Sequence, residues 1–80
     1  MKAKVFVTLK RGVLDPQGKA VLHSLHDMGY GEVGDVRMGK MIELSLDGTD
    51  RAKAEGRLKE MCEKLLANTV IESYRFEIEG

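Results

Sequence analysis

Val33-Gly34-Asp35-Val36-Arg37-Met38-Gly39-Lys40-Met41-Ile42-Glu43-Leu44-Ser45-Leu46 is the stretch whose reading decides the architecture. Ile42, Leu44 and Leu46 alternate with Glu43 and Ser45, the period of two expected of a strand with one buried face. Val33 to Met38 reads as a short extended segment, and Gly39-Lys40 stands between the two as a tight link. The spacing therefore predicts a hairpin, the second and third strands of the chain.

Upstream, Ala3, Val5, Val7 and Leu9 alternate with Lys4, Phe6 and Thr8, which predicts a first strand. Asp15 and Pro16 follow as an N-cap oxygen and a first-turn residue whose missing N–H is no loss, so a helix should begin there. Its apolar residues Val21, Leu22, Leu25 and Met28 share one face, and Gly29 is suited to end it. Downstream, Asp47 to Asp50 form a turn and cap for a second helix, whose stripe is Ala54, Leu58, Met61, Cys62, Leu65 and Leu66 and which should stop at Asn68. Val70 to Glu79 closes the chain as a fourth strand, with Tyr74, Phe76 and Ile78 on one side.

The order βαββαβ in 80 residues predicts an α+β fold of ferredoxin-like plan: a two-layer sandwich with a four-stranded antiparallel sheet and two helices on one face. Right-handed crossovers would put strands one and three at the centre. Residues 1–80 are read as a single domain, since a chain of this length has material for one core. The open face would then carry Phe6, Thr8, Met41, Glu43, Ile71 and Arg75. Large apolar side chains there point to self-association through Phe6, Met41 and Ile71.

Composition narrows the function. Thirteen Lys+Arg balance 13 Asp+Glu for a formal net charge of +0, which gives no long-range attraction to nucleic acid or anionic membranes. No apolar run approaches the roughly 20 residues that cross a bilayer, and lysines interrupt the apolar residues at the start as no signal peptide would. The chain is accordingly expected in the cytoplasm, bound to neither membrane nor nucleic acid. The single cysteine, Cys62, falls on an apolar stripe and reads as core rather than nucleophile.

Phosphate-binding and metal motifs are suggested only superficially. Gly29-Tyr30-Gly31-Glu32-Val33-Gly34 spells a dinucleotide fingerprint but follows a helix and enters a strand, the reverse of the order that places phosphate at a helix N-terminus. Gly12 to Lys19 lacks the spacing of a P-loop and has Ala20 where a magnesium-binding hydroxyl belongs. His23 and His26 are three residues apart, yet a metal needs more ligands than two. Two polar segments stand out as contact candidates. They are the loop and helix start around Arg11, Gly12, Asp15, Pro16, Gln17, Gly18 and Lys19, and the hairpin end with Arg37, Gly39 and Lys40.

Three segments together resemble a known family: Leu14-Asp15-Pro16-Gln17-Gly18-Lys19-Ala20-Val21; Val36-Arg37-Met38-Gly39-Lys40 with Glu43-Leu44; and Met61 to Glu72 with Tyr74-Arg75. They are similar to PurS, the small subunits of phosphoribosylformylglycinamidine synthase, over essentially the whole chain. The resemblance implies a part in purine biosynthesis. The complex converts formylglycinamide ribonucleotide to formylglycinamidine ribonucleotide with ATP and with ammonia released from glutamine. It implies that PurL binds ATP and performs the amidination, that PurQ hydrolyses glutamine, and that PurS self-associates as a dimer or tetramer and joins the two. On that reading this chain is a subunit of an ATP- and glutamine-dependent C–N ligase, with no catalytic residue, cofactor or metal of its own, while ATP, magnesium and glutamine belong to the complex. Asp15 to Lys19 and Arg37 to Lys40 would face the larger subunits. Two other readings of the topology are a ligand-sensing regulatory module, with a pocket near the Gly12 to Gly18 loop, and an acylphosphatase-like enzyme using Arg11 and Asn68.

Overall fold

In a computed structural model that describes residues 1–79, three strands form one antiparallel sheet. They are β1 (Lys2–Leu9), β2 (Gly39–Ser45) and β3 (Glu72–Glu79), in the order β2-β1-β3. Helices α1 (Pro16–Asp27) and α2 (Arg51–Met61) connect them, α2 running on into a π-helical turn at Cys62–Leu66. The α+β class holds, with β1 central as expected: Phe6 pairs with Met41 on one side and Arg75 on the other. The alternation read from sequence sets the faces. Ala3, Val5 and Val7 are buried against Leu58, Cys62 and Ala67, and Ile42, Leu44, Tyr74, Phe76 and Ile78 pack around them.

Three expectations are corrected. First, residues 33–38 form no strand, so β2, the expected third strand, is an edge. The cause lies in where their polar groups go. The Val33 carbonyl meets the His26 ring 2.7 Å away, the Met38 N–H donates to Asp15, and Val36 passes so close to α1 that only a glycine at position 18 leaves room. The segment lies along α1 instead of beside β2. Second, the two helices do not share the sheet. No residue of α1 joins the core or packs against it, and Gly18 is its one buried position. Val21 is 37% exposed and Met28 70%, so half the stripe that was expected to seal the sheet faces solvent.

Third, the second helix changes pitch before its end. The Ala67 N–H donates to the Cys62 carbonyl, a five-residue span that widens the last turn. This wider turn keeps Cys62 and Ala67 in the core and leaves Leu65 83% exposed, off the stripe on which the sequence placed it. On the β3 side α2 is tied down by the Tyr74 hydroxyl, which donates to Glu63, and by the Arg51 guanidinium, which donates to the Ile78 carbonyl. The helix starts are as the sequence reads them. Asp15 accepts from Gly18 N–H with Pro16 in the first turn, Asp50 accepts from Lys53 N–H, and Gly29 follows α1 at a φ of 98°.

The result is an arm. Residues 10–38 leave one end of the paired β1 and β2 and run outward, and the molecule measures 49 × 26 × 14 Å. Its radius of gyration is 16.1 Å, against the roughly 12 Å of a compact globule of this length.

Candidate partner interface

The two polar segments singled out by sequence meet in space and form a clasp at the root of the arm. Asp15, 4% exposed, accepts from Gly18 N–H at 2.9 Å through Oδ1 and from Met38 N–H at 2.8 Å through Oδ2. Arg37 crosses in the other direction: its guanidinium donates to the carbonyls of Leu9, Lys10 and Val13 at 3.3, 2.9 and 3.3 Å. These contacts join the exit of β1, the start of α1 and the entry to β2. The Gly18 and Met38 N–H bonds hold the Asp15 carboxyl below its ordinary pKa, helped by the nearby Arg37 charge. The sign follows: the clasp is fully formed above the ordinary carboxylate range and loosens only as pH falls through the depressed value.

Gly18 and Gly39 serve the same joint by lacking a side chain. A Cβ on Gly39 would stand 2.6 Å from the Val7 carbonyl oxygen, and one on Gly18 would stand 2.3 Å from that of Val36. Of the eight candidate contact residues, Asp15, Gly18, Arg37 and Gly39 are therefore committed to holding the backbone. Pro16, Gln17, Lys19 and Lys40 are exposed around them. Gln17 and Lys40 line a groove of about 260 Å³ together with Leu9, Asp15, Met38 and Glu72.

The three residues expected to support self-association are not brought together. Phe6 and Met41 are register partners, but Phe6 lies beneath the Arg75 guanidinium, 4.0 Å from the ring centroid, leaving Met41 as the exposed apolar group. Ile71 lies beyond the start of β3 at the end of the sheet, where its carbonyl accepts from Lys10 N–H. Much of the rest of the face is charged: Arg75 pairs with Glu77 at 3.1 Å and Lys4 with Glu79 at 3.8 Å.

Other candidate residues have structural roles. Cys62 is buried, and burial with the neighbouring Glu63 raises its pKa, so the thiol stays protonated. Asn68, one of the two residues named for acylphosphatase chemistry, accepts from Val70 N–H, and its own N–H donates to Glu72. It shapes the turn into β3. What the sequence reading missed is the apolar surface left over: Leu14 is 67%, Val70 80% and Leu65 83% exposed. Leu14 and Val70 belong to loops, where no periodicity reports on burial.

A sequence profile described as PurS: Phosphoribosylformylglycinamidine (FGAM) synthase matches residues 2–80. The chain belongs to the PurS family. Among PurS proteins, the phosphoribosylformylglycinamidine synthase subunit PurS of Bacillus subtilis is 62% identical over 78 residues, covering 98% of this chain and 92% of the relative. The PurS subunit of Methanocaldococcus jannaschii is 40% identical over 78 residues, covering 98% and 94%. The solved B. subtilis PurS superposes with a TM-score of 0.86 over 99% of this chain and 98% of its own. A chain from the structure of PurLQS from Thermotoga maritima, 32% identical, also gives 0.86, over 95% and 93%. The extended arm is thus shared with solved PurS chains over nearly the full length.

Proposed function

We propose that this chain is the PurS subunit of an FGAM synthase in purine biosynthesis, holding the ATP-dependent synthetase PurL and the glutaminase PurQ in one assembly while supplying no catalytic group. The observation that carries this reading is the match to a chain of the T. maritima PurLQS structure over 95% of this sequence. A physical rationale supports it. Ammonia released at one site must reach another without escaping to water, which demands a fixed relation between the two subunits, and a small subunit that binds both supplies it. The clasp offers a rigid backbone with Gln17, Lys19 and Lys40 exposed on it, suited to polar contacts with a larger partner. We place the complex in the cytoplasm; no helix among the described residues is long and apolar enough to cross a membrane.

The fold is read as a ferredoxin-like plan opened at one joint, with residues 33–38 occupying the sequence position of its second strand. Self-association is part of the same proposal, and Phe6 and Met41 are candidates for a small contact across the open face.

Light scattering after size-exclusion chromatography, with PurL and PurQ and with glutamine and magnesium ADP present, tests the adaptor role. All three chains are expected to co-elute only when this one is included, and glutamine-dependent synthesis of FGAM should require it. Co-elution of PurL and PurQ without it would sink the proposal. Within that assay, Lys19→Glu with Lys40→Glu should weaken co-assembly at least tenfold and leave the oligomeric state of the free chain unchanged. Wild-type co-assembly of that variant would remove the clasp surface from the interface.

A further inference from the structure

We propose that the open face of the sheet carries a carboxylate site, a hollow bounded by Phe6, Thr8, Ser73 and Arg75, that seats an aspartate or glutamate side chain of one of the two larger subunits. The proposal rests on the adaptor reading given above and names the chemistry of one of its contacts. It begins from the strand register. On this face Met41, Phe6 and Arg75 stand side by side across β2, β1 and β3, and Gly39, Thr8 and Ser73 form the next row. The first row is tall and the second is low, because Gly39 has no side chain and those of Thr8 and Ser73 are small. At the step lies a hollow of about 150 Å³, lined by Phe6, Thr8, Ser73, Tyr74 and Arg75. It is smaller than the roughly 300 Å³ at which pockets for free ligands begin, and so suits the end of a side chain.

Arg75 makes the hollow selective for an anion. Its guanidinium lies over the Phe6 ring, 4.0 Å from the centroid, and donates through one nitrogen to Glu77 at 3.1 Å. Stacked on the ring and steered by Glu77, the fork is held in place before any partner arrives, while the side chain stays 66% exposed. Glu77 takes one of its five N–H donors, which leaves the fork able to receive a second carboxylate. Thr8 and Ser73 bring a hydroxyl each, able to donate to the same oxyanion. The ladder also runs one pair beyond β1: Lys10 N–H donates to the Ile71 carbonyl, and alternation makes the exposed Lys10 the next residue on this face after Thr8.

A second copy of this chain has little to offer such a hollow. Of its own carboxylates on this face, Glu77 is held by Arg75, Glu79 is held by Lys4 at 3.8 Å, and Glu43 stands opposite Lys4 as its register partner. Phe6, the ring that would draw two apolar faces together, is covered by the guanidinium. A different subunit that brings an unpaired carboxylate gains the fork and the hydroxyls together. The hollow is also distinct from the clasp surface. Lys40 is the register partner of the buried Val7 and so belongs to the helix-bearing side of the sheet. A chain that joins two subunits needs two surfaces, and these lie on opposite sides.

Isothermal titration calorimetry of this chain into an equimolar mixture of PurL and PurQ, with glutamine and magnesium ADP present, tests the site, with light scattering and circular dichroism of the free chain alongside. Arg75→Glu is expected to raise the dissociation constant roughly tenfold or more, and Arg75→Lys, which keeps the charge and loses the fork, by a smaller factor. Both should keep the oligomeric state and spectrum of the wild-type chain. Glu77→Gln decides what Arg75 is for. A guanidinium that receives a partner's carboxylate is still held by Phe6 and is freed of a competitor, so binding should be as tight as that of wild type or tighter. Loss of binding in Glu77→Gln equal to that in Arg75→Glu would mean that Arg75 serves only to fix Glu77, and would overturn the site. Wild-type affinity in Arg75→Glu would overturn it while leaving the adaptor reading intact. A wild-type chain that fails to bind would overturn both. An altered oligomeric state in free Arg75→Glu would assign this face to contact between copies and overturn the site as well.

Discussion

Leu58→Ala is expected to remove about two-fifths or more of the chain's stability at 25 °C. Leu58 is 0% exposed and belongs to a core of six buried apolar residues among those described, of which it is the largest. Truncating a buried leucine costs about 2–5 kcal/mol, the upper end applying where neighbours cannot collapse into the cavity. Here they cannot: one side is β1, hydrogen-bonded to both neighbours, and the other is α2, tied to β3 through Tyr74 and Arg51. Against a total of roughly 4–12 kcal/mol for a chain of this length, that loss is from about two-fifths to the whole of the stability. Leu58→Met, nearly volume-conserving, should cost under about 1.5 kcal/mol. Urea denaturation followed by circular dichroism at fixed protein concentration separates the two. A Leu58→Ala chain with a near-native midpoint would mean that the core drawn here is not what holds the chain together.

The parts of the fold that sequence disclosed are those governed by local chemistry. β1, β2 and β3 announce themselves by alternation, and Asp15-Pro16 and Asp50 by capping, because each signal is complete within a few residues. The expected strand at 33–38 shows the limit. Val33 and Val36 suit an extended segment equally well beside a strand or along a helix. The choice is made by Gly18 and Asp15, 15 or more residues upstream, whose demand for close approach and for the Met38 N–H is tertiary. For the same reason, the stripe on α1 marks an apolar face without saying what it packs against, and Val21 and Met28 on it are exposed. The pitch change after Met61 was equally hidden, since Leu65 and Leu66 fit an ordinary helical stripe until the Ala67 N–H is seen to reach back to Cys62. Of the candidate site, the location was legible and the roles were not. Asp15, Gly18, Arg37 and Gly39 drew notice as a possible docking surface, and half of that surface turned out to be the joint that aims the arm.

The same substitution should act with opposite sign at two glycines, one in that joint and one outside it. Gly18→Ala places a Cβ 2.3 Å from the Val36 carbonyl oxygen and 2.9 Å from Asp15 Oδ2, far inside contact distance and against backbone that cannot swing away. Relief requires residues 36–38 to withdraw from α1, and with them the Met38 N–H that Asp15 accepts. A net cost of roughly 1–3 kcal/mol is expected, the usual range for overpacking, even though alanine is the better helix former. Gly56→Ala, in the middle of α2 with open space around its Cβ, should instead stabilise by about 0.5–1 kcal/mol through helix propensity alone. Urea midpoints read the two signs, and amide hydrogen exchange tells where the damage lies. In Gly18→Ala the amides of residues 18 and 38 should lose protection at least tenfold more than those of β1, whose bonds to β2 and β3 do not pass through the clasp. Uniform loss across the chain would show that the clasp is no separate unit, and that the arm and the sheet form and break together.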